Sequence, residues 1–244
     1  SRRRPADVTL RDITGGTCCL GVWGPDARDV IAPLCPDDVS NDGFRYFRAM
    51  HTYLGAIPVT MMRVSYVGEL GWEIYASAEY GCALWDLISA AGEPFGIVPA
   101  GRIAFNSLRI EKGYRSWGTD MTAEHRPAAA GLDFAVRMSK DTDFVGKAAL
   151  QQAPDPDKVL RSIVFDDPAA VVLGKEPVSV AGRCVGYVTS AGFSTTIGRT
   201  IAYAWLPATV TVGDVVTVAY RGATYRAVVH AEPVVDPEMS RIKR

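Results

Sequence analysis

One change of pattern divides the chain. Residues 151–158, QQAPDPDK, form a Pro/Asp-rich stretch, and the sequence on either side follows different rules. After it, apolar segments of strand length recur at 159–165, 183–189, 200–205, 215–220 and 224–230, nearly all divided by Gly or Pro. A run punctuated so often has no room for helices of ordinary length, so its strands must close on one another. A small all-β barrel or sandwich is the expected result. Before residue 151, strand-like and helix-like segments alternate, which predicts an α+β region. A length of 244 residues accommodates one large domain or two smaller ones, and the change of pattern favours two, at 1–150 and 158–244.

Within the first region, residues 17–23 read as a buried strand closed by Gly24-Pro25. Ala27, Val30, Ile31 and Leu34 then recur at helical spacing, with Asp26 suited to the first turn. Residues 37–43 are loop-like. From 46 to 75, β-branched and aromatic residues predict three strands, divided near Gly55 and at 68–71. Residues 79–91 predict an amphipathic helix with Cys82, Trp85, Ile88 and Ala91 on one face and Gly92 at its end. A further helix is expected over 100–111, followed by Gly113.

The most informative ten residues are 66–75, YVGELGWEIY. Strand alternation sends Trp72 and Glu73 to opposite faces of the sheet. A carboxylate facing inward is costly unless donors meet it. Ionised, it only accepts hydrogen bonds, and its two oxygens suit a planar partner with two adjacent N–H groups. Arginine offers such an edge; so does the 2-amino-pyrimidinone ring of a pterin. The alternative is a hairpin whose Glu73 lies at the rim in water. The ten residues alone leave both readings open.

Other features narrow the classes of function. A net charge of −1 argues against a broad nucleic-acid surface. No apolar run approaches the ~20 residues of a membrane span. The basic start, Ser-Arg-Arg-Arg-Pro, lacks the apolar stretch of a secretory signal behind it. Five cysteines, odd in number and without a CxxC pair, suit a reducing compartment and structural thiols. Cys18-Cys19 lies in an apolar strand with no basic neighbour to activate a thiol, so packing is expected there. His51, His125 and His230 have no metal-ligand spacing, and no metal is expected. Neither a flavin-type GxGxxG nor a GxSxG elbow is present.

Several segments, in order, resemble the aminomethyltransferase family, that of the glycine cleavage T-protein. LGVWGPDARDV at 20–30 is similar to the family's "L-x-GP-x-A" strand and helix. YVGELGWEIY is similar to its folate-binding signature. GRIAFNSLRIEKGYRSWGTD at 101–120 resembles "SLR-x-E-x-G" followed by "G-x-D". Gly131-Leu132 and DFVGKAAL at 143–150 look like its "DF-[IV]-GK-x-AL" segment. GYVTSAGFSTTIG at 186–198 and EPVVDP at 232–237 resemble its C-terminal barrel. The EKGYR-x-WG-x-D form and the late DP are most similar to the folate part of dimethylglycine and sarcosine dehydrogenases; the KGCYxGQE string of the relatives linked to iron–sulphur maintenance does not occur.

The resemblance implies a fold and a chemistry. The fold would be an aminomethyltransferase-like folate-binding region over 1–150, N-terminally incomplete, followed by the C-terminal β-barrel domain at 158–244. The chemistry would be tetrahydrofolate-dependent one-carbon transfer, capturing the methylene unit of an N-methyl amine as 5,10-methylenetetrahydrofolate. Glu73 would bind the pterin and Tyr66 would line the folate pocket. The T-proteins carry an arginine four residues before the "SLR" arginine; here Phe105 stands there, in keeping with the dehydrogenase branch. Arg102 and Arg109 are not its replacements: Arg109 is expected to hold the helix, and Trp117 to pack.

The family's acid/base aspartate would lie upstream of this chain, and neither Asp7 nor Asp12 has the surroundings to replace it. No catalytic residue is therefore expected within the sequence. A first residue of Ser, not Met, points the same way, to a piece of a longer protein, with Arg2 to Arg4 ending a helix or linker. Such a piece is expected to be less stable alone than with its upstream flank. FAD enters only through an upstream flavin part or partner, in cis or in trans; nucleic acid and membrane are not expected partners. The compartment would be the cytoplasm, or the mitochondrial matrix in a eukaryote. The alternatives are a non-catalytic folate-binding or docking module of a flavoprotein, and a free-standing T-protein.

Overall fold

The computed structural model describes residues 8–244. Asp7 and the arginines at 2, 3 and 4 lie outside the described residues. The contacts divide the chain into two units. One holds the residues up to Ala100 together with Met239–Arg244; the other is Gly101–Glu238.

The first unit is built on a four-stranded antiparallel sheet in the order β1-β4-β3-β2. Its strands are β1 (Thr17–Trp23), β2 (Ala49–Leu54), β3 (Ile57–Met62) and β4 (Gly71–Ser77). The central pairing sets Leu20 against Ile74, Val22 against Trp72 and Gly21 against Glu73. Alternation then puts Val22, Trp72, Ile74, Val59, Met61 and Leu54 on one face, all buried. Two helices cover that face, α1 (Ala27–Ile31) and α2 (Gly81–Gly92), contributing Val30, Ile31, Leu84 and Ile88 to the core.

The face of α2 differs from the expected one. Leu84 and Ile88 are buried, whereas Cys82 is exposed and Trp85 is 48% exposed. Positions spaced by three rotate back about 60° per step, so a stripe through 82, 85, 88 and 91 winds off the core. The stripe that packs runs through Leu84, Leu87, Ile88 and Ala91. Gly92 is the last residue of the helix, as expected, but in a right-handed conformation; the left-handed stop is Gly96 at φ +69°, after one further turn.

The second unit begins with α3 (Arg102–Glu111), followed by Gly113 at φ +79°, a long irregular segment and the short α4 (Lys147–Gln151). Six strands then form a closed barrel in the order β10-β5-β8-β7-β6-β9. They are β5 (Lys158–Phe165), β6 (Pro177–Val180), β7 (Arg183–Ser194), β8 (Arg199–Pro207), β9 (Val215–Tyr220) and β10 (Ala223–His230). Closure settles the choice between barrel and sandwich, and β6 is a strand that the sequence pattern did not announce.

β8 is buried on both faces, and its unbroken apolar run IAYAWL reflects this. Ala202, Ala204 and Leu206 fill the barrel, while Ile201, Tyr203 and Trp205 pack outside it against Ile110, Ala129 and Ala130. Among the described residues no helix is long and apolar enough to cross a membrane.

Candidate functional site

Glu73 lies on β4, on the face of the sheet turned away from the core, and is half-buried. Its cross-strand partners are Gly21 on β1 and Met62 on β3. Two residues further along the same face, the Tyr75 hydroxyl donates to Glu73 Oε2 at 2.5 Å. Among the described residues this is the hydrogen bond that holds the carboxylate, and it engages one oxygen. The bond to Glu73, and burial after it, push the Tyr75 phenol well above its usual range, so Tyr75 is a neutral donor. Cys19, opposite Tyr75, has its thiol pushed up chiefly by burial. The packing expected of the cysteine pair holds for Cys18, which lies against the core, and not for Cys19, which is exposed on the opposite face because alternation along β1 turns it away.

Tyr66, the second residue singled out in the sequence, lies in the irregular stretch between β3 and β4 and is half-buried. That stretch is anchored around it. Val67 and Leu70 are buried, the Glu69 N–H donates to Ser65 Oγ at 3.1 Å, and Arg241 pairs with Glu69 at 2.9 Å. The residues just before it are tied to β1, where Trp23 Nε1 donates to the Val64 carbonyl at 3.0 Å. Gly71 joins the stretch to β4 at φ +154°, and a Cβ there would lie 1.9 Å from the Val22 carbonyl oxygen. Glycine at this position is a steric requirement of the motif.

Sequence reasoning passed over two residues on this face. Tyr75 was legible, because positions two apart on a strand share a face. Trp23 was legible in part: it shares a face with Gly21, which is the partner of Glu73.

The second unit contains a buried polar network on the segment 109–120. Arg109, 1% exposed, donates to Asn106 Oδ1, to the Tyr114 carbonyl and to Asp120. It thus fixes the end of α3 to the following turn, the structural role expected of it. Asp120 accepts in addition from the Ser116 N–H at 2.8 Å and from Thr189 Oγ1 and Ser190 Oγ at 2.6 Å each. Thr189 and Ser190 are consecutive on β7 and would ordinarily point to opposite faces. A register shift between Val188 and Ser190 brings both hydroxyls to one carboxylate.

Glu111 accepts from Ser194 Oγ at 2.6 Å and Thr196 Oγ1 at 2.9 Å, Lys112 pairs with Asp236 at 2.9 Å, and Arg115 pairs with Glu232 at 2.5 Å. This network joins the EKGYR-x-WG-x-D segment to the barrel and to the chain after it. Every partner it names is supplied by the protein itself, so it acts as a fastening. Trp117 does not pack as expected: it is 67% exposed, at the tip of a turn whose inner side is formed by backbone bonds between Ser116 and Asp120 and between Gly118 and Met121.

Comparison with known proteins agrees with this architecture. The GCVT N-terminal domain matches residues 1–140, and the glycine cleavage T-protein C-terminal barrel domain matches residues 158–236. The chain is 37% identical over 247 residues to the mitochondrial dimethylglycine dehydrogenase of Homo sapiens, spanning 98% of this chain and 28% of that protein. It is 34% identical over 231 residues to an aminomethyltransferase of Symbiobacterium thermophilum, spanning 93% of this chain and 61% of that protein. The crystal structure of glycine cleavage system aminomethyltransferase T from Bartonella henselae superposes with a TM-score of 0.77 at 24% identity, over 90% of this chain and 60% of that one. The last likeness is one of fold.

Proposed function

The chain belongs to the glycine cleavage T-protein family, and from that premise we propose that it binds tetrahydrofolate at Glu73 and serves one-carbon transfer. It would capture the methylene unit from oxidative demethylation of an N-methyl amine, of dimethylglycine or sarcosine type, as 5,10-methylenetetrahydrofolate. Residues 1–150 would form the folate-binding domain and 158–244 its barrel domain. The observation that carries the reading is the Glu73 carboxylate, half-buried on an open sheet face with Tyr75 engaging only Oε2. That leaves Oε1 and a lone pair of Oε2 to accept from a planar pair of N–H groups, which fits a pterin edge.

Bound there, tetrahydrofolate supplies the N5 and N10 amines that take up one carbon. The protein's own residues contribute position. Glu73 accepts from the pterin edge, with each charge-assisted bond contributing roughly 1.5–3 kcal/mol. Tyr75 keeps the carboxylate in one orientation, and Tyr66 lines the pocket. Because β4 is paired on both sides, the carboxylate is held on a stiff support, and orientation of this kind lowers a barrier through effective molarity. No step of proton transfer is assigned to a residue of this chain. The one-carbon unit would come from a flavin-bearing oxidoreductase part, in cis or in trans, in the cytoplasm or the mitochondrial matrix.

The chain spans 28% of the length of the dimethylglycine dehydrogenase it resembles, and a second reading takes it as one part of such a protein. It would then be the folate-binding or docking module of a flavoprotein, without catalysis of its own. A free-standing T-protein is less well supported, because Phe105 stands where that branch carries arginine.

Calorimetric titration of 5-formyltetrahydrofolate into the chain and into its Glu73→Ala variant tests the site; micromolar binding lost in the variant supports it, and no binding to either sinks it. The rate at which tetrahydrofolate and formaldehyde condense, with and without the protein, separates the enzyme from the module. Acceleration over the background supports catalysis, and binding without acceleration supports the module.

A further inference from the structure

Residues 239–244, MSRIKR, belong to no helix or strand, yet they pack with the first unit, far away in sequence. A segment without a backbone ladder is held by single bonds and by buried side chains, and here Ile242 is buried. The remaining attachments fall at the two ends of one stretch, residues 63–70 between β3 and β4, which carries Tyr66.

At the near end stands Arg63, buried, with Nη1 donating to the Phe44 carbonyl at 2.6 Å. Its Nη2 donates to Asn41 Oδ1 at 2.5 Å and to the Arg244 carbonyl at 3.4 Å. Arg28 on α1 donates to the same two oxygens at 2.7 Å each, and Asn41 Nδ2 donates to the Lys243 carbonyl at 3.2 Å. At the far end, Arg241 Nη1 pairs with Glu69 Oε1 at 2.9 Å. The tail thus reaches both the first residue of the stretch and the last but one.

The near end is costly to undo. Among the described residues neither Arg28 nor Arg63 pairs with a carboxylate side chain. A buried guanidinium needs acceptors for its donors, and the Arg244 carbonyl is one of those that meet it. The far end is easier to loosen, because the side chains of Arg241 and Glu69 keep some contact with water and their attraction answers to salt.

We infer that residues 239–244 are a clasp on the 63–70 stretch, closed at Arg63 and at Glu69, and that Arg241 acts through Glu69 as a positioning residue for Tyr66. This rests on the folate reading above and adds to it a control over the site: affinity follows the docking of the tail. A ligand that meets only the docked form binds with its intrinsic affinity reduced by the docked fraction.

The test titrates 5-formyltetrahydrofolate into the wild-type chain, Arg241→Glu, Glu69→Arg and the double reversal, and follows backbone hydrogen exchange over 63–70 in each. A single reversal sets like charges against each other. It is expected to speed exchange over 63–70 and to weaken the ligand about fivefold, the loss for a stretch docked about one fifth of the time. The double reversal restores an opposite pair and is expected to recover affinity to within about twofold, a rescue that independent sites would not show. Unchanged affinity in the single reversals, whatever their melting temperatures, overturns the clasp, and so does a double reversal no better than either single. Should a reversal fail to fold, Arg241→Gln decides through salt. A wild-type affinity that falls more steeply than the variant's between about 0.05 and 0.5 M salt supports the clasp, and equal dependence overturns it. Should the wild type bind no ligand, the folate reading falls and exchange alone decides the clasp: faster exchange rescued by the double reversal supports it, and unchanged exchange overturns it.

Discussion

The hydroxyl of Tyr75 donates to Oε2 of Glu73 at 2.5 Å, from two residues further along the same strand and the same face. A carboxylate on an open sheet face would otherwise sample several rotamers, and this bond selects among them. Tyr75→Phe keeps the ring and removes the donor. The folate affinity proposed for Glu73 should fall about fivefold, in line with roughly 1 kcal/mol for a hydrogen bond in a half-exposed setting. The melting temperature should change little. Calorimetry on the variant checks the first expectation and a thermal melt the second. Because the Tyr75 phenol is held well above its ordinary range, its loss of a proton should not shape the pH profile of binding near neutrality.

Asp120 and Arg109 form a buried pair in which the carboxylate has three further donors, Ser116 N–H, Thr189 Oγ1 and Ser190 Oγ, so removing either partner strands a charge. Asp120→Ala should destabilise the chain by about 3–5 kcal/mol, the usual cost of breaking a buried pair from one side. Arg109→Leu should cost a similar amount. The double variant should cost clearly less than the sum, because each single variant includes the burden of the abandoned partner. Urea unfolding of the three variants measures this, and strict additivity would sink the account of Asp120 as the centre of one network.

Much of this fold was legible in the sequence. The strands of the first unit announce themselves because one face of each is apolar, as at Val22, Leu20 and Ile74, and β8 because both of its faces are. The barrel was visible in the Gly and Pro spacing after residue 158. β6 was not, because Pro177–Val180 is four residues long and begins with proline. The wrong face of α2 came from spacing by three, which drifts around a helix. In the site, Glu73 stood out by its chemistry within an apolar strand, and Tyr75 follows from alternation. The placement of Trp23 on the face of Glu73 was hidden because it depends on which residue of β4 lies opposite Gly21, and register is a tertiary fact. Asp120 was hidden for a related reason: its two hydroxyl donors come from a bulge about seventy positions away.

Gly71 and Gly24 make a controlled pair. Both have positive φ, +154° and +146°, but a Cβ on Gly71 would lie 1.9 Å from the Val22 carbonyl oxygen, whereas nothing lies within 4 Å of one on Gly24. Alanine at 24 should cost only the conformational term, about 1–3 kcal/mol for a residue held in an unfavourable backbone region. Alanine at 71 carries that term and a clash with backbone, which cannot rotate aside, and it also presses on Trp23. The melting temperature of Gly71→Ala should therefore fall well below that of Gly24→Ala. Equal losses would mean that β1 and β4 can separate at Gly71 without cost.

Glu232 offers a test by pH. Burial pushes its carboxyl up, against the opposing pull of the Arg115 guanidinium at 2.5 Å. A carboxyl raised in the folded state binds its proton more tightly there than in the unfolded chain. Its contribution to stability is complete below the unfolded value, about 4.3 for glutamate, and is lost as pH rises through the folded value. Glu232→Gln does not titrate, so the stability of the wild type relative to this variant should decline across that window as the pH is raised from acid toward neutrality. Urea unfolding of both proteins at several pH values gives the difference. A wild type that gains on the variant as the pH rises would mean that the pairing with Arg115 outweighs burial, and that the salt bridge is a net stabiliser of the ionised state.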